Sequence, residues 1–455
     1  MSPTRSHRLR RLLAVLALVG LVAAGCGNSD DDDDVADDEP TTETTEGGDK
    51  VAIADVPGVT DDEIRVAAFG TNSNNPLGTC ILDCYVDGIE AYFAYRNSEG
   101  GVHGRELTLA TTLDDELGKN QQRAIEIVAA EDSFAAFSAT QLATGWKEIA
   151  KAGMPLFGWN IHPTETAGQT AIFGNQGTIC ITCTRRQTAY IAELAGAKKV
   201  ASLGYGISEN SKKSAQTVVD TIERYGDDIG GAEIAYENFN LAFGLPNGIA
   251  PEVTAMKRAG VDLITAAIDL NGMKTLAQEM ERQGMGDVPM LHANTYDAEF
   301  VKEAGDLFEG DYVGVSFRPF EAGGESLDLF TKWMEETGSD ISEPAMYGWI
   351  NADTLYQGLK AAGPSFDQQK VIDALNEIED YTAGGLIAPL DFGRQHDAPT
   401  EEDPATHGND PDCFAFVQIK GGTFALVEPS SKSKPFVCWP GDTRDWSEPE
   451  ATDFE

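Results

Sequence analysis

The chain has 455 residues, of which 75 are Asp or Glu and only 33 are Lys or Arg, so its formal net charge at pH 7 is -42. A surface of this charge repels nucleic acid and anionic lipid headgroups, which excludes proteins whose binding to either one is electrostatic. About 400 residues follow the N-terminal segments described next. That length is too great for one hydrophobic core and suits two lobes.

Residues 1–25 have the pattern of a secretory signal peptide. Four arginines precede an apolar run at 12–24, whose thirteen residues are fewer than the roughly 20 that a membrane-spanning helix needs. Small residues then lead to Cys26, a pattern that resembles a bacterial lipobox, although Ala23 stands where Leu is usual. The resemblance predicts cleavage before Cys26, acylation of its thiol and anchoring to the outer face of the cell membrane. An ordinary secretory signal with a chance cysteine is the alternative.

Residues 26–60 form an acidic segment that we expect to be disordered. Eleven of the twenty residues at 30–49 are Asp or Glu, and none is aromatic. Such a segment cannot bury enough apolar surface to offset the entropy lost on ordering. It therefore predicts an extended tether between the lipid and the folded part. A metal-binding acidic segment is the alternative.

Apart from Cys26, the chain has six cysteines, and an even number outside the cytoplasm indicates disulfides. Closeness in sequence favours three pairs, which are Cys80–Cys84, Cys180–Cys183 and Cys413–Cys438. Cross-pairing between the first two pairs is an alternative, and so is a zinc site built from them, which has tolerable ligand spacing. A redox-active CxxC is disfavoured because the β-branched residues around Cys180 are poor helix formers.

Strand patterns alternate with amphipathic helical patterns from residue 64 onward. The first run of strands comprises "IRVAAFG", "ELTLATT", "FAAFS" and "MPLFGW". The second run comprises "KKVASLGYG", "AEIAYENF", "VDLITAAID", "VPMLHA" and "DYVGVSF". Strands separated by helices of 10–15 residues indicate βαβ units and parallel sheets. The sequence thus predicts an α/β protein with two doubly wound parallel-sheet lobes, divided near residues 174–184.

A mostly helical stretch at 325–379 follows the second run, and a hairpin with Gly421-Gly422 at its turn follows that stretch. Ligands of parallel sheets bind beyond the carboxyl ends of the strands, where helix N-termini present free N–H groups. If these edges face one another across a cleft, the contacts come from strand-to-helix loops. The candidate loops are 70–84, 138–146, 158–166, 204–212, 268–272 and 292–298.

The segment "AYRNSEGGVHGRELTLATTLDDE" resembles the region after the first helix in solute-binding proteins of branched-chain amino acid ABC importers. Its glycines suit a helix C-cap and a tight turn. The resemblance covers about residues 60–390. Further matching segments, in the family's order, are "GAKKVASL", "AGVDLITAAID", "VPMLHANTYDAEFVKEAG", "EGDYVGVSFRPFE" and "YGWINADTLYQGLKAAG".

The resemblance implies a type I periplasmic binding protein fold, in which three crossover segments join two lobes that close over a small solute. Together with the composition of the two ends of the chain, it gives this division: signal peptide 1–25, tether 26–60, first lobe 61–183 and 319–385, second lobe 184–318 and 386–440, and an acidic C-terminal tail 441–455.

In the family, the first lobe holds the solute's carboxylate and the second lobe holds its ammonium group. The implied carboxylate positions here are Ser138, Ala139, Thr140, Asn160 and His162. The implied ammonium positions are Asp269, Asn294 and Glu209, where the family has a tyrosine, a glutamate and a second tyrosine.

These substitutions alter the chemistry that the family positions offer. A buried ammonium group needs an anion, which Asp269 could supply; otherwise the solute is an amide, a urea-like molecule or an aromatic acid. Trp159 and Tyr296 lie beside these positions and are candidates for sandwiching an apolar group. The alignment also places a Cys80–Cys84 ring at the cleft, where it would fix Ile81 and Leu82 as an apolar edge.

No enzyme signature is present in the sequence: we find no GxSxG, P-loop, HExxH or complete dinucleotide-binding motif. We therefore expect no catalysis, no cofactor and no metal. The hypothesis is a monomeric extracytoplasmic solute-binding lipoprotein whose partners are a small-molecule solute and the permease subunits of an ABC importer, with no nucleic acid. A ligand-sensing module that reports to a signalling partner is the alternative, and an extracytoplasmic thiol oxidoreductase is a third hypothesis.

Overall fold

The computed structural model describes residues 51–75, 78–159, 163–175, 183–292, 295–398, 400, 412–441 and 443–455. Two parallel or mixed sheets organise these residues into two α/β lobes. Among them, no helix combines the length and the apolar composition that crossing a membrane requires.

The first lobe is built on a five-stranded parallel sheet with the order β2-β1-β3-β4-β5. Helices cover both of its faces, so β3 and the second half of the neighbouring strand β1 are buried at every position and do not alternate. Its strands are β1 (Glu63–Gly70), β2 (Glu106–Asp114), β3 (Ala135–Ala139), β4 (Leu156–Gly158) and β5 (Ile172–Gly174). The intervening helices are α1 (Leu82–Ser98), α2 (Asn120–Ala130), α3 (Trp146–Lys151) and α4 (Pro163–Thr166).

The second lobe is built on a nine-stranded sheet with the order β14-β13-β11-β10-β9-β8-β6-β7, in which β12 pairs with β11. Pairing is parallel from β7 to β10 and antiparallel from β10 onward. The first five strands are β6 (Lys199–Tyr205), β7 (Glu233–Leu241), β8 (Leu263–Ala267), β9 (Met290–His292) and β10 (Tyr312–Val315). The other four are β11 (Asp412–Lys420), β12 (Thr423–Leu426), β13 (Phe436–Trp439) and β14 (Glu450–Thr452).

Five helices belong to the second run of βα units. They are α5 (Arg186–Leu194), α6 (Glu209–Tyr225), α7 (Ala250–Ala259), α8 (Leu270–Gln283) and α9 (Ala298–Ala304), which a 3₁₀ turn at Gly305–Phe308 extends. The apolar face of α6 shows how these helices attach: Ala215, Val219 and Ile222 recur at helical spacing and are buried.

After β10 the chain returns to the first lobe as α10 (Glu325–Thr337), α11 (Glu343–Ala362) and α12 (Gln368–Asn376). Helix α11 packs against α1 and α12. Glycines allow the close approach of α1 and α11: a Cβ on Gly88 would lie 1.8 Å from the Ala345 carbonyl oxygen, and one on Gly348 would lie 2.0 Å from that of Tyr85. The stretch 319–385 therefore contributes helices to the first lobe.

The predicted fold class, two doubly wound α/β lobes, is confirmed. The hairpin is also present, with β11 and β12 joined at Gly421-Gly422, both of which have positive φ. The predicted C-terminal tail differs from the structure, because residues 450–452 form β14 and pair with β13. Charge alone suggested a solvated tail there, whereas the backbone hydrogen bonds of this stretch complete the sheet edge.

The structure contains the Cys80–Cys84 and Cys413–Cys438 disulfides, with S–S distances of 2.05 and 2.12 Å. Cys413 and Cys438 lie directly opposite one another in β11 and β13, so their bond ties together two antiparallel neighbours. Cys183 is also disulfide-bonded. Its predicted partner, Cys180, lies outside the described residues, and that pairing stays a prediction, as does the acylation of Cys26.

The buried Asn351 side chain joins three elements of the first lobe. Its Nδ2 donates to the Tyr85 hydroxyl and to the Gly158 carbonyl, both at 2.8 Å, and so connects α11 with α1 and β4. Replacing Asn351 with Ala leaves buried acceptors without this donor. We expect Asn351→Ala to lower the free energy of unfolding by about 1–3 kcal/mol, measured by denaturant titration.

The matched control is Asn210→Ala, which truncates an exposed asparagine of α6. The control should change the unfolding free energy by less than about 0.5 kcal/mol. Equal unfolding midpoints for both variants would show that the Asn351 hydrogen bonds contribute nothing to stability.

Candidate ligand-binding cleft

A cavity of about 1270 Å³ is lined by residues of both lobes. From the first lobe, Thr79, Cys80 and Cys84 follow β1 and Trp159 follows β4. Residues after β8, β9 and β10 line it from the second lobe and the adjoining crossover. The carboxyl ends of the two sets of parallel strands therefore meet at one cavity, as the sequence predicted for a cleft.

Tyr296 lines this cavity and is hydrogen-bonded to the carboxylate of Glu321. It follows β9, and its hydroxyl donates to Glu321 Oε2 at 2.7 Å while accepting the Phe320 N–H at 2.8 Å. The Tyr296 and Phe320 rings are stacked with their centroids 5.3 Å apart. Because Phe320 and Glu321 belong to the crossover after β10, these contacts connect a strand end of the second lobe with that crossover.

Tyr347 forms a second pair of the same kind at the start of α11. Its hydroxyl donates to Glu343 Oε1 at 2.6 Å and lies 3.0 Å from the Ser316 hydroxyl. Its ring meets the Trp159 ring edge-on, at a centroid distance of 6.5 Å. All four of these residues line the cavity, so two tyrosine–carboxylate pairs and a tryptophan meet there.

The carboxyl groups of Glu321 and Glu343 both have raised pKa values. Burial raises the pKa of Glu321, and the Tyr296 hydroxyl opposes this rise. Burial raises the pKa of Glu343 to about 7, with a smaller contribution from the negative charge of Asp297. Within the described part of the chain, no Lys or Arg side chain forms an ion pair with either group.

The predicted carboxylate-binding residues after β3 are not part of the cavity lining. Ser138, Ala139 and Thr140 are fully buried. The Ser138 hydroxyl accepts a hydrogen bond from Trp146 Nε1 at 2.8 Å, and the Thr140 hydroxyl donates to Asp115 Oδ2 at 2.5 Å. Internal partners thus occupy both hydroxyls, and contact of these three residues with a solute stays a prediction.

Asp269 and Glu209, predicted on the ammonium side, also lie away from the cavity lining. Asp269 is buried, caps α8 by accepting the Gly272 N–H at 3.0 Å, and accepts the Tyr205 hydroxyl at 2.5 Å. Glu209 begins α6 with an exposed side chain, 3.9 Å from Lys213. Asp269 thus serves as a helix cap, and its position at a strand end reflects that role.

Trp159 and Tyr296 are the predicted contact residues that do line the cavity. Asn160, His162 and Asn294 lie outside the described residues. The Cys80–Cys84 disulfide lines the cavity itself, but Ile81 and Leu82 are buried in the hydrophobic core. Ile81 and Leu82 thus do not form the predicted apolar edge, and the two cysteines of the disulfide line the cavity in their place.

Sequence reasoning missed Glu321, Glu343 and Tyr347. The stretch Ser342-Glu343-Pro344 carries a helix-start signal, and the Ser342 hydroxyl does cap α11 by accepting the Ala345 N–H. That signal indicates a helix N-terminus at the cavity, but it gives no sign that a carboxylate is held there. Among the described residues, no group of three or more His, Cys, Asp or Glu side chains could hold a metal ion.

The raised pKa of Glu343 has a consequence for stability. The carboxyl group has an ordinary pKa of 4.5 and a folded-state pKa of about 7, so its favourable contribution is complete below pH 4.5 and is lost as the pH rises through 7. Glu343→Gln removes this pH dependence. We therefore expect the variant to be more favourable for the stability of the ligand-free protein at pH 8 than at pH 4.5, by about 3 kcal/mol. Thermal unfolding at both pH values measures this difference.

The control for this prediction is Glu336→Gln, on an exposed glutamate of α10. Its effect on stability should be the same at both pH values. A Glu343→Gln effect that is equally independent of pH would contradict a raised pKa for this group.

Comparison with known structures identifies the same fold. An ABC transporter substrate-binding protein from Desulfitobacterium hafniense in complex with Leu is 20% identical, with 80% of this chain and 100% of that chain covered and a TM-score of 0.62. A fatty acid ABC transporter substrate-binding protein from Thermomonospora curvata is 17% identical (82% and 93% covered, TM-score 0.62). A solute-binding protein from R. palustris in complex with 4-hydroxybenzoate is 16% identical (81% and 96% covered, TM-score 0.62).

A search of curated protein sequences found no match. The model of the periplasmic binding protein family matches residues 76–423, which include most of both lobes. This is a family of binding proteins and not of enzymes. The chain belongs to the periplasmic binding protein family.

Proposed function

We propose that the protein is an extracytoplasmic solute-binding lipoprotein of an ABC importer. It captures a small polar solute, an amino acid or a related amide or carboxylic acid, and delivers it to a membrane permease. The observation that carries this proposal is the cavity at the carboxyl ends of both sets of parallel strands. Ligand sites of open parallel sheets lie at this edge.

The structural relatives support a small-molecule ligand. The three described above are substrate- or solute-binding proteins of ABC transporters, and their ligands are Leu, a fatty acid and 4-hydroxybenzoate. These ligands share little beyond their small size and a carboxyl group. They support the class of function, while the lining residues of this chain determine its own ligand.

The position of the cavity also supports closure of the lobes around the solute. Ser316, Phe320 and Glu321 lie in the crossover between β10 and α10 and line the cavity together with Trp159 of the first lobe. A solute that contacts both lobes and the crossover binds the closed arrangement better than the open one. Differential affinity of this kind is what shifts a conformational equilibrium.

Several finer features belong to the same proposal. Acylation of Cys26 anchors the protein, residues 26–50 act as its tether, and Cys180 pairs with Cys183. The predicted tether extended to residue 60, but Arg105 donates to the Val51 and Thr60 carbonyls, so residues 51–60 lie against the first lobe. We propose that the protein works as a monomer, with lobe boundaries at 61–183 with 319–385 and at 184–318 with 386–440.

The first test is a thermal-shift screen of the full chain against amino acids, amides, ureas, amines, aromatic acids and fatty acids. A solute at 100 times its dissociation constant should raise the unfolding free energy by about 2.7 kcal/mol. Trp159→Ala should abolish that shift because it removes a cavity wall, whereas Phe243→Ala, which truncates an exposed ring outside the cavity, should not. If a solute still stabilised the Trp159→Ala variant against thermal unfolding, its binding site would lie elsewhere.

The second test addresses the anchor. Expression of the unaltered gene in the presence of an alkyne-labelled fatty acid should yield a membrane-bound, labelled protein, and Cys26→Ser should yield an unlabelled protein that is released from the membrane. Asn28→Ala is the control, because it changes a neighbouring residue without removing a thiol. A membrane-bound, labelled Cys26→Ser protein would rule out this anchor.

A further inference from the structure

Among the residues that the structure describes, no Lys or Arg side chain forms an ion pair with Glu321 or Glu343, two carboxylates of the cleft wall. We propose that the solute carries a net positive charge, as an ammonium or guanidinium group, and that Glu321 and Glu343 bind this group between the rings of Trp159, Tyr296 and Tyr347. This inference rests on the proposed function and specifies the charge of its solute.

The first support is the way each carboxylate is held. Tyr296 donates to Glu321, and Tyr347 donates to Glu343. A phenol is a neutral donor, so it fixes the orientation of a carboxylate without balancing its charge. A partly buried carboxylate without a counter-ion is costly. The raised pKa of each group reports that cost, and a bound cation would remove it.

The second support is the charge of the whole lining. Its acidic side chains are Asp87, Asp297, Glu299, Glu321, Asp340 and Glu343. Its Lys and Arg side chains are Arg185 and Lys302, and Arg185 already interacts electrostatically with Asp412. The acidic side chains of this cavity would repel an anionic solute and attract a cationic one.

The third support is the aromatic content of the same wall. Tyr296 is stacked on Phe320, and Tyr347 meets the edge of Trp159. Ring faces attract ammonium and guanidinium groups within about 6 Å, most strongly where water is excluded. A solute cation at the two carboxylates would therefore gain both ionic and cation–π contacts, and the rings would accommodate its apolar part.

The proposal can be distinguished from a purely structural role for these pairs. In a structural role, the Tyr296–Glu321 and Tyr347–Glu343 bonds would only hold the crossover and the start of α11 in place. Substitution would then change stability without regard to the charge of the solute. In the proposed role, the effect depends on solute charge, which the experiment below varies.

The experiment is isothermal titration calorimetry of the full chain with six probes. Agmatine, choline and tyramine are cations, leucine is a zwitterion, and 4-hydroxybenzoate and dodecanoate are anions. We expect at least one cation to bind more than tenfold more tightly than both anions and leucine. Glu343→Gln and Glu321→Gln should each weaken that cation at least tenfold, and the exposed control Glu336→Gln should leave its affinity unchanged.

A second readout applies even if one variant folds poorly. Cation binding at pH 7 should release protons, because it favours the ionised form of Glu343, which faces Tyr347 of its own helix and the Asp297 carboxylate before α9. Titrations in phosphate and in Tris, whose ionisation enthalpies differ, measure this release. Tyr347→Phe keeps the ring and the carboxylate, so it should still bind the cation.

The outcomes separate the inference from the proposed function. Tighter binding of leucine or of an anion, unaffected by Glu343→Gln, would overturn the cationic class and leave a solute-binding protein. Binding of none of the three cations would also overturn it. The proposed function itself is decided by the wider screen and by the Trp159→Ala variant.

Discussion

The structure depends on one constraint, which is that neighbouring parallel strands must be joined by crossover connections. Parallel neighbours require crossover connections, so every strand of the first lobe's sheet ends at the same edge, and so do β6 to β10 of the second. In the folded chain, side chains that follow β1, β4, β8 and β9 line one cavity. No single motif builds this site, because it results from the way in which both sheets are connected.

The crossover after β10 contributes polar and aromatic side chains to the cavity wall. Its residues Phe320 and Glu321 contact Tyr296 of the second lobe, and Ser316 contacts Tyr347 of α11, which packs in the first lobe. The segment that connects the lobes is thus part of the cavity wall. Under the proposed function, solute contact and lobe closure involve the same side chains.

The sequence was informative about features that a local pattern of residues determines. Apolar runs such as that of β1 indicated buried parallel strands, and glycines at 421–422 indicated the β11–β12 hairpin. Trp159 and Tyr296, which the sequence predicted at the cleft, both line the cavity; Trp159 follows β4 directly and Tyr296 lies four residues after β9. Contact of either residue with a solute stays a prediction. For these features, the position relative to a strand and the residue type can both be read from the sequence.

The sequence was less informative where a polar residue at a strand end has two possible roles. Asp269 could have bound a solute, but it caps α8 and accepts the Tyr205 hydroxyl. Thr140 likewise bonds to Asp115. The carboxylates at the cavity come from a crossover and a helix start. Glu343 and its partner Tyr347 lie four positions apart on α11, a spacing that the sequence shows, whereas the pairing of Glu321 with Tyr296 is visible only in the structure. Tyr296 and Glu321 are separated by 25 positions, and no local pattern relates them.

The most direct test of this account is a crystal structure of the full chain purified from its own organism with its natural solute bound. We expect density for one small molecule between the Trp159 and Tyr347 rings, in contact with both lobes and with a nitrogen cation against the carboxylate of Glu343 or Glu321. A solute held by one lobe alone, or one that presents an anionic group to these carboxylates, would contradict the account.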